Sequence, residues 1–588
     1  MHTKVKRLLL LTLALGLLVG AGTQLNGLQQ MRKDYDLASE PVRGISPQVA
    51  LATQMLGWGR GILIDILWIR LESLKNQDKY FELVQLADWA CKLAPRFPKV
   101  WEFHAWNLAY NVSCRVDYLW DRWDWVWNGV KLLRDEGIRW NPNAYELYES
   151  LSWMMMHKIG QQDDNAHFFY KQQFAAMAHR ILAGGGDRVM LEALASAAKT
   201  KAELLEDPMV ARAVDECAAL EFDLVERFFS VLATDPSVPD GVKDLVSDPR
   251  YLDAMKEIES FVRAGQLHEQ FGLDATSMLR VMDEYGPFDW RSPYPHAIYW
   301  ADAGLQRLKE FESRFYGAID EVGREKPMAH EGDERYRGEE ELYEWHEVQL
   351  NRLLYMGMQS LVMHGRVLFN TRGQLVADMG TDYRFADRTM AVFENASGRF
   401  GERFEEGIRE GYQHFLSRGV IEFHFMGDPR KSRRYYDVLD KRFHDYTYEK
   451  NFDEYLLWKL RDYKSAMSFS DARRLLRAHC YQYWICIGSN ADDKAQALES
   501  EALVIAEGYN EEAEDLRSTV RYKEIRESAL VDILTGIVRI SPDVLANLKY
   551  KLNEERPGFV DSVLARLEQQ GTKPPELEDV DEEYKTEH

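Results

Sequence analysis

The segment from residue 157 to residue 179 concentrates side chains that could bind a metal ion. It reads "HKIGQQDDNAHFFYKQQFAAMAH" and contains His157, Asp163, Asp164, His167 and His179. Asp164 and His167 are three positions apart, so on a helix they would share one face and could reach the same ion. We therefore take His157, Asp164 and His167 as a candidate metal site. The corresponding function would be a metal-binding protein or a hydrolase.

The same residues have a simpler interpretation. Asp163 and Asp164 precede a predicted helix, where carboxylates accept hydrogen bonds from the free N–H groups of the first turn. The chain contains neither the Glu-x-x-His pair of di-iron bundles nor a His-Glu-x-x-His motif. It also lacks the Gly-x-Ser-x-Gly elbow and the glycine-rich phosphate loops. The sequence thus favours capping over metal binding, and it predicts neither an enzyme nor a bound cofactor.

The stretch from residue 83 to residue 111, "LVQLADWACKLAPRFPKVWEFHAWNLAYN", combines aromatic and small residues at regular spacing. A helix that begins at Pro98 would pack one face of small and aromatic side chains, beside a polar stripe that packing alone does not require. The candidate partner-binding residues on this helix are Trp101, His104, Trp106, Asn107, Tyr110 and Asn111. A purely structural, hydrogen-bonded role for the polar stripe is the alternative.

The spacing of these residues fits the tetratricopeptide repeat. Trp101 and Ala105 match the Trp and Gly positions of the first helix of a repeat, and Trp300 and Gly304 show the same frame. Small residues let the two helices of a hairpin approach closely. Apolar residues recur at intervals of three and four throughout the body of the chain. The predicted fold is therefore all-α: a degenerate tetratricopeptide-like array of helical hairpins, an α-solenoid, with an N-terminal transmembrane or signal helix.

Four phrases of the sequence carry a resemblance to a known family. They are "YFELVQLADWACKLAPRFPKVWEFHAWNLAYN", "GVKLLRDEGIRWNPNAYELY", "HKIGQQDDNAHFFYK" and "YGPFDWRSPYPHAIYWADAGL". The chain resembles an uncharacterised family of N-terminally membrane-anchored, tetratricopeptide-like proteins from planctomycete-type bacteria. The similarity is strongest over residues 58–180 and 285–305. It implies a helical-repeat fold and a membrane-linked location, and it assigns no catalytic or binding residues.

The first 31 residues have the pattern of an export signal. Lys4, Lys6 and Arg7 precede the apolar stretch "LLLLTLALGLLVGAG", and no further charge follows until Arg32. The uncharged length suffices for one membrane crossing of roughly 20 residues. The anchor residues would be Leu8, Leu9, Leu10, Leu11, Leu13, Leu15, Leu17, Leu18 and Val19. The positive charges would keep the N-terminus inside a bacterial cytoplasmic membrane, with the body on the periplasmic side. An exported soluble protein, released by signal cleavage, is the alternative.

Breaks in the hydrophobic pattern divide the rest of the chain. A second apolar stretch, residues 49–69, contains Arg60 and Asp65 and is predicted to be a buried helix of the body. The predicted segments are an anchor at 1–31, a linker at 32–48, tetratricopeptide-like repeats at 49–190, further helical repeats at 191–319, a charged loop at 320–345, helical regions at 346–450 and 451–571, and an acidic disordered tail at 572–588.

Composition limits the function further. The 588-residue chain has a formal net charge of -23, which argues against nucleic-acid binding because neutralising phosphates requires a basic face. Its five cysteines are scattered without a Cys-x-x-Cys motif, which argues against a disulfide framework or a zinc site. We expect a membrane-anchored scaffold or adaptor that binds protein or peptide partners. The alternatives are the metal-binding protein or hydrolase above and a structural protein of cell-envelope assembly.

Overall fold

The computed structural model describes residues 59–569, apart from short gaps. The gaps are residues 234, 316–336, 370, 373–374, 401–404, 426–427, 464–467, 513–518 and 539. The predicted anchor, with its leucines from Leu8 to Leu18, lies outside the described residues, as do the linker 32–48 and the acidic tail 572–588. Among the helices that are described, none combines the length and the hydrophobicity that a membrane crossing requires.

Helices dominate the described residues, which confirms the all-α class. Up to residue 232 the α-helices are Gly59–Asn76, Tyr80–Leu93, Pro98–Trp106, Leu119–Lys131, Ile138–Trp140, Tyr145–Trp153, His167–Ile181, Arg188–Ser196, Lys201–Leu204, Pro208–Ala218 and Phe228–Leu232. From residue 240 to residue 442 they are Asp240–Val246, Leu252–Phe271, Ala275–Tyr285, Pro293–Phe315, Arg337–His364, Ala386–Phe400, Glu405–Phe425 and Pro429–Arg442. The last are Phe452–Tyr463, Phe469–Gly488, Asp492–Glu512, Tyr522–Leu534, Pro542–Glu555 and Phe559–Gln569. Short 3₁₀ turns lie at Ser113–Arg115, Ala183–Gly185, Pro249–Tyr251, Tyr383–Phe385 and His444–Thr447.

The helix predicted to begin at Pro98 is present. One helix ends at Leu93 and the next begins at Pro98. Proline suits a first helical turn because its fixed φ is already helical and its missing N–H would have had no partner there. Proline is therefore a reliable guide to this joint.

Three helices of the N-terminal part widen into π-helical stretches. These are Asn107–Val112, Leu132–Gly137 and Met154–Gly160. They continue the α-helices that end at Trp106, Lys131 and Trp153. π-Helical stretches are rare and often accompany functional sites. The periodic pattern of the sequence did not predict them, because a single extra residue in a turn leaves the spacing of apolar residues almost unchanged.

One β-hairpin interrupts the region 346–450, for which the sequence predicts only helices. Strand Arg366–Phe369 pairs antiparallel with strand Leu375–Gly380, and Arg366 lies opposite Gly380. The hairpin packs against the helix His167–Ile181. The prediction is wrong here because periodicity alone cannot distinguish a short apolar strand from a piece of buried helix.

The charged segment 320–345 also differs from its prediction as a loop. Residues 316–336 lie outside the described residues, but the helix Arg337–His364 begins inside the predicted loop. Its first turn carries consecutive glutamates from Glu339 to Glu341. Glutamate is a good helix former, and its negative charge is favourable near a helix N-terminus. The high charge of the segment 320–345 therefore did not indicate a loop from residue 337 onward.

The described residues form two compact units. The smaller comprises residues 59–79 and 88–94, and the larger comprises residues 80–87 and the described residues from 95 onward. In the smaller unit, Ile66 and Ile69 are 57% and 70% exposed. The prediction that this apolar helix is buried is wrong for these two side chains. Apolar residues occur all around the helix, and only one stripe of them is covered.

In the larger unit, small residues allow close helix packing. A Cβ atom on Gly304 would lie 2.8 Å from Leu350 Cδ2 and 3.1 Å from the Cβ atom of Tyr148. The helix Pro293–Phe315, which carries Gly304, accordingly packs against the helix Arg337–His364 and against the helix Tyr145–Trp153. Gly304 is the position that the repeat frame assigns to close helix approach, so the local packing agrees with that frame.

Candidate functional site

The predicted partner-binding stretch lies on the helix Pro98–Trp106 and its π-helical continuation Asn107–Val112. Trp101 points into the core and is only 5% exposed. Its indole Nε1 donates a hydrogen bond to the carbonyl oxygen of Pro95 at 2.7 Å. Trp101 is therefore a packing residue, and its inclusion among the partner-binding candidates is corrected.

The polar stripe on the same helix mostly bonds to the helix itself. His104 and Asn107 are buried, and Asn111 is half-buried. The amide Nδ2 of Asn107 donates to the carbonyl oxygen of Phe103 at 2.7 Å, and Nδ2 of Asn111 donates to Oδ1 of Asn107 at 2.6 Å. Side-chain amides of this kind compensate backbone groups in an irregular helix. The hydrogen bonds of Asn107 and Asn111 within the helix are those expected for the structural role, the alternative to partner binding.

The aromatic side chains beside the stripe do reach the surface. Trp106 is 41% exposed, and its ring stacks on Tyr110 with 4.1 Å between the ring centroids. The Tyr110 ring is 6.0 Å from the imidazole of His157, which stacks on Trp153 at 4.6 Å. The hydroxyl of Tyr110 lies 3.5 Å from His157 Nδ1. We call these four rings, Trp106, Tyr110, His157 and Trp153, the aromatic ladder.

A buried ion network supports the aromatic ladder. Lys158, the residue after His157, places its Nζ atom 5.1 Å from the centroid of the Tyr110 ring. The same ammonium group forms an ion pair with Asp164, whose other carboxylate oxygen is 2.7 Å from Arg122 Nη2. Asp164 also accepts the backbone N–H of Ala166 at 2.8 Å. The network therefore joins the third π-helical stretch, the tryptophan-rich helix Leu119–Lys131 and the turn before residue 167.

The protonation of two groups reflects these contacts. Burial by itself would raise the pKa of Asp164, but Lys158, the Ala166 N–H and Arg122 together lower it below its ordinary value. Burial lowers the pKa of His157 below its usual value, with Lys158 acting in the same direction and Asp163 opposing. At neutral pH the carboxylate of Asp164 is thus ionised, and the His157 ring in the ladder is neutral.

The three candidate metal ligands have separate partners. Asp164 lies in the turn before the helix that begins at His167, so the two do not share a helical face as the sequence predicts. The carboxylate of Asp164 is bound to Lys158 and Arg122, whereas Nδ1 of His167 lies 3.2 Å from Nζ of Lys171. His157 belongs to the aromatic ladder. In the described part of the chain, no three His, Cys, Asp or Glu side chains are grouped so that they could hold a metal ion.

Close backbone contacts fix the position of the site. Gly160 ends the third π-helical stretch, and a Cβ atom there would lie 2.7 Å from the ring of Tyr294. The hydroxyl of Tyr294 donates to the Gly160 carbonyl oxygen. Similarly, a Cβ atom on Gly129 would lie 2.8 Å from the carbonyl oxygen of Ala105. A side chain at position 129 would push the helix Leu119–Lys131 away from the helix that carries Trp106, and one at position 160 would push the third π-helical stretch away from Tyr294.

Sequence reasoning missed three residues of this site: Arg122, Trp153 and Lys158. A signal was available for Trp153, which is four positions before His157 and so shares its face on a helix. Arg122 interrupts the tryptophan-rich segment "YLWDRWDWVWNG", and Lys158 stands within the hydrophobic run that begins at Met154. Both were charged residues at otherwise apolar positions, which usually means that a buried partner is present.

The aromatic ladder offers a ligand flat ring faces above a buried network of ion pairs. Exposed tryptophan and tyrosine rings bind by stacking and by burying large apolar areas. The thiol of Cys114 borders the network, with its Sγ atom 3.6 Å from Lys158 Nζ. Comparisons with models of protein families, with curated proteins and with solved structures find no match to this chain.

Proposed function

We propose that this chain is a membrane-anchored helical-repeat adaptor that binds a peptide segment of a partner protein on the aromatic ladder. The observation that carries the proposal is the exposure of Trp106, whose ring stacks on Tyr110 at the surface. Partner-binding surfaces are enriched in tryptophan and tyrosine, and a few such residues supply most of the binding energy. Trp106 is the natural anchor residue of this surface.

The support beneath the ladder favours binding of a partner over a role in packing alone. Tyr110 and His157 are half-buried and contact one another, so neither ring needs to be reordered when a ligand arrives. The Lys158–Asp164 ion pair beneath them is buried. A surface that is already ordered loses little entropy on binding, which strengthens the affinity for a given contact area.

A repeat architecture is the second part of the proposal. The close approach of helices at Gly304 is what a tetratricopeptide-like hairpin array requires. Trp300, which occupies the aromatic position of the same frame, has its ring 6.3 Å from that of Tyr148. Arrays of this kind expose an extended concave surface to protein partners. The family resemblance noted above supports the same architecture.

Photo-crosslinking tests the partner-binding surface. A benzophenone amino acid is placed at position 106 of the full-length chain in cells, and at position 550 in a control, because Tyr550 is 64% exposed on a distant part of the sequence. We expect a discrete adduct from position 106 and none from position 550. In the unlabelled protein, Trp106→Ala should weaken partner recovery about tenfold or more, as expected for an anchor residue, whereas Tyr550→Ala should not. Absence of an adduct at position 106, or the same adducts from both positions, would contradict the proposal.

The location of the protein is tested separately. We propose an uncleaved N-terminal anchor with the body on the periplasmic side, supported by the basic and apolar pattern of the first 31 residues. Alkaline carbonate should leave the chain in the membrane fraction, and N-terminal sequencing should begin at or near residue 1. A mature chain that begins near residue 22 and is recovered in the soluble fraction would instead support signal cleavage.

A further inference from the structure

Three structural elements enclose a cavity with a volume of about 340 Å³. One wall is the turn that follows the third π-helical stretch, the second is the last part of the helix Arg337–His364, and the third is the helix Glu405–Phe425. We call this space the polar cavity, because most of its wall is polar. The polar side chains that matter for its chemistry are Gln161, Gln162, Asp163, Gln359, Ser360 and Arg418.

Four uncharged polar side chains of the wall are without partners among the described residues. The amide Nε2 of Gln162 is buried and has no hydrogen-bond partner there. Within the same part of the chain, the side chains of Gln161, Gln359 and Ser360 form no hydrogen bond either. A side-chain amide offers donors and acceptors together, so it can pair with the amide group of a ligand. The wall therefore has the groups that recognise an amide.

The wall also carries one anion and one cation, and both are weakly paired. The side chain of Asp163 is 65% exposed, and its ion-pair partner is Nε2 of His157 at 3.6 Å. Burial lowers the pKa of His157, so at neutral pH this imidazole does not neutralise the carboxylate. Arg418 is 41% exposed, and its Nε atom lies 4.0 Å from Glu422, beyond hydrogen-bond distance. Glu422 is closer to Arg474, at 2.8 Å.

The two charges lie on separate walls of the polar cavity. Asp163 belongs to the turn after Gly160, whereas Arg418 belongs to the helix Glu405–Phe425. A ligand with a positive and a negative group can therefore bond to two walls at once. Met356 and Met363 add apolar surface to the wall, and methionine adapts to ligands of different shape.

A ligand with both charges suits this wall better than a simple ion does. An anion at Arg418 would be repelled by the carboxylate of Asp163, and a cation at Asp163 would be repelled by the guanidinium of Arg418. A molecule that carries an ammonium group and a carboxylate satisfies both side chains. The volume of the polar cavity is at the lower end of the range for small-molecule sites, which suits a ligand of modest size.

We propose that the polar cavity binds a zwitterion of the amino-acid class, either a free amino acid with an amide side chain or a dipeptide. Asp163 bonds to the ammonium group of the ligand, and Arg418 bonds to its carboxylate. The glutamine side chains of the wall pair with the amide, which is a side-chain amide in one case and the peptide bond in the other. The proposal does not depend on the adaptor function, because no ring of the aromatic ladder is among the lining residues.

Calorimetric titration of the full-length protein tests the site, with L-glutamine and L-alanyl-L-alanine as separate probes. We expect saturable binding of at least one probe. Asp163→Asn and Arg418→Gln should each weaken it about tenfold or more, the effect of losing a charge-assisted hydrogen bond. Both side chains are exposed enough for the variants to fold. Asp253→Asn and Arg212→Gln are the matched controls, since both side chains belong to exposed surface ion pairs, and they should bind the probes unchanged.

Modified probes then assign each end of the ligand to its side chain. Acetylation of the probe removes the ammonium charge, and conversion of its carboxylate to an amide removes the negative charge. Each modification should weaken binding to the unmodified protein about tenfold. Acetylation should cause no further loss in Asp163→Asn, and amidation should cause no further loss in Arg418→Gln. A purely structural effect of either substitution would not produce this selective pattern.

The outcomes separate the two sources of the amide group. Binding of glutamine only, of the dipeptide only, or of both supports the site and identifies its ligand. No saturable binding of either probe to the unmodified protein would overturn the proposal. So would losses on acetylation and amidation that the Asp163 and Arg418 variants retain in full, because the two charges of the ligand would then be bound elsewhere.

Discussion

Lys158 and Asp164 form an ion pair whose side chains are only 4% and 7% exposed. The same carboxylate also binds Arg122 at 2.7 Å, so one anion is shared by two cations from different helices. The pair connects the third π-helical stretch to the turn before His167. Its position directly beneath Tyr110 makes it a structural support of the aromatic ladder.

Asp164→Asn should destabilise the protein by about 3 kcal/mol, because two buried cations would lose their anion. Urea unfolding followed by tryptophan fluorescence measures the free energy of unfolding. The double variant Lys158→Met with Asp164→Asn should recover part of this loss, with a coupling energy above about 1 kcal/mol. Asp253→Asn is the control, since the pair of Asp253 with Lys256 is exposed and should contribute less than about 1 kcal/mol. Equal losses at positions 164 and 253 would show that the buried network is not a support.

Gly160→Ala should destabilise the protein by about 1–3 kcal/mol, because the new methyl group would overlap the Tyr294 ring. The same measurement on Gly508→Ala provides a matched control. Nothing lies within 4 Å of a Cβ atom at position 508, which is within the helix Asp492–Glu512. There alanine should be neutral or stabilising by up to about 1 kcal/mol, because it is the better helix former. A neutral Gly160→Ala would mean that the π-helical stretch can move away from Tyr294.

His167 should make the protein less stable in acid. Burial, then Lys171 and Arg473, lower its pKa in the folded state to about 2. The unfolded chain binds a proton to this group below about pH 6.5, whereas the folded protein does not, so its stabilising contribution is lost as the pH falls from 6.5 toward 2. His167→Gln should therefore reduce the difference in unfolding free energy between pH 7 and pH 5 by about 2 kcal/mol. His414→Gln, at an exposed histidine, is the control. If both variants behave alike, the acid sensitivity arises elsewhere.

Metal content provides a test of the alternative function. Asp164 is held by Lys158 and Arg122, and His167 contacts Lys171, so these side chains would have to exchange partners before they could bind a metal ion. We expect the purified protein to contain no stoichiometric metal, and added zinc to leave its melting temperature unchanged. Elemental analysis that finds one metal per chain, lost in His167→Ala, would support the metal-binding alternative and contradict the pure adaptor.

The sequence predicted local structure well. Apolar spacing identified the helices, proline marked the joint before residue 98, and the repeat frame selected Gly304 as a point of close helix contact. Local sequence is sufficient for such features, because helical periodicity and backbone restrictions act between residues a few positions apart. The β-hairpin at Arg366–Phe369 was missed, because a short apolar run has no periodicity of its own.

The sequence by itself indicated an acidic, mainly helical chain with a basic and then apolar N-terminal stretch and an aromatic stretch around residue 106. Only the tertiary structure decided which of these side chains could act. It buried Trp101, exposed Trp106, and paired Asp164 with Arg122, 42 positions away. It also placed Arg473 near Lys171 and His364. The physical reason is that burial and ion pairing depend on contacts between distant segments, which the packing of whole helices sets and no local pattern records.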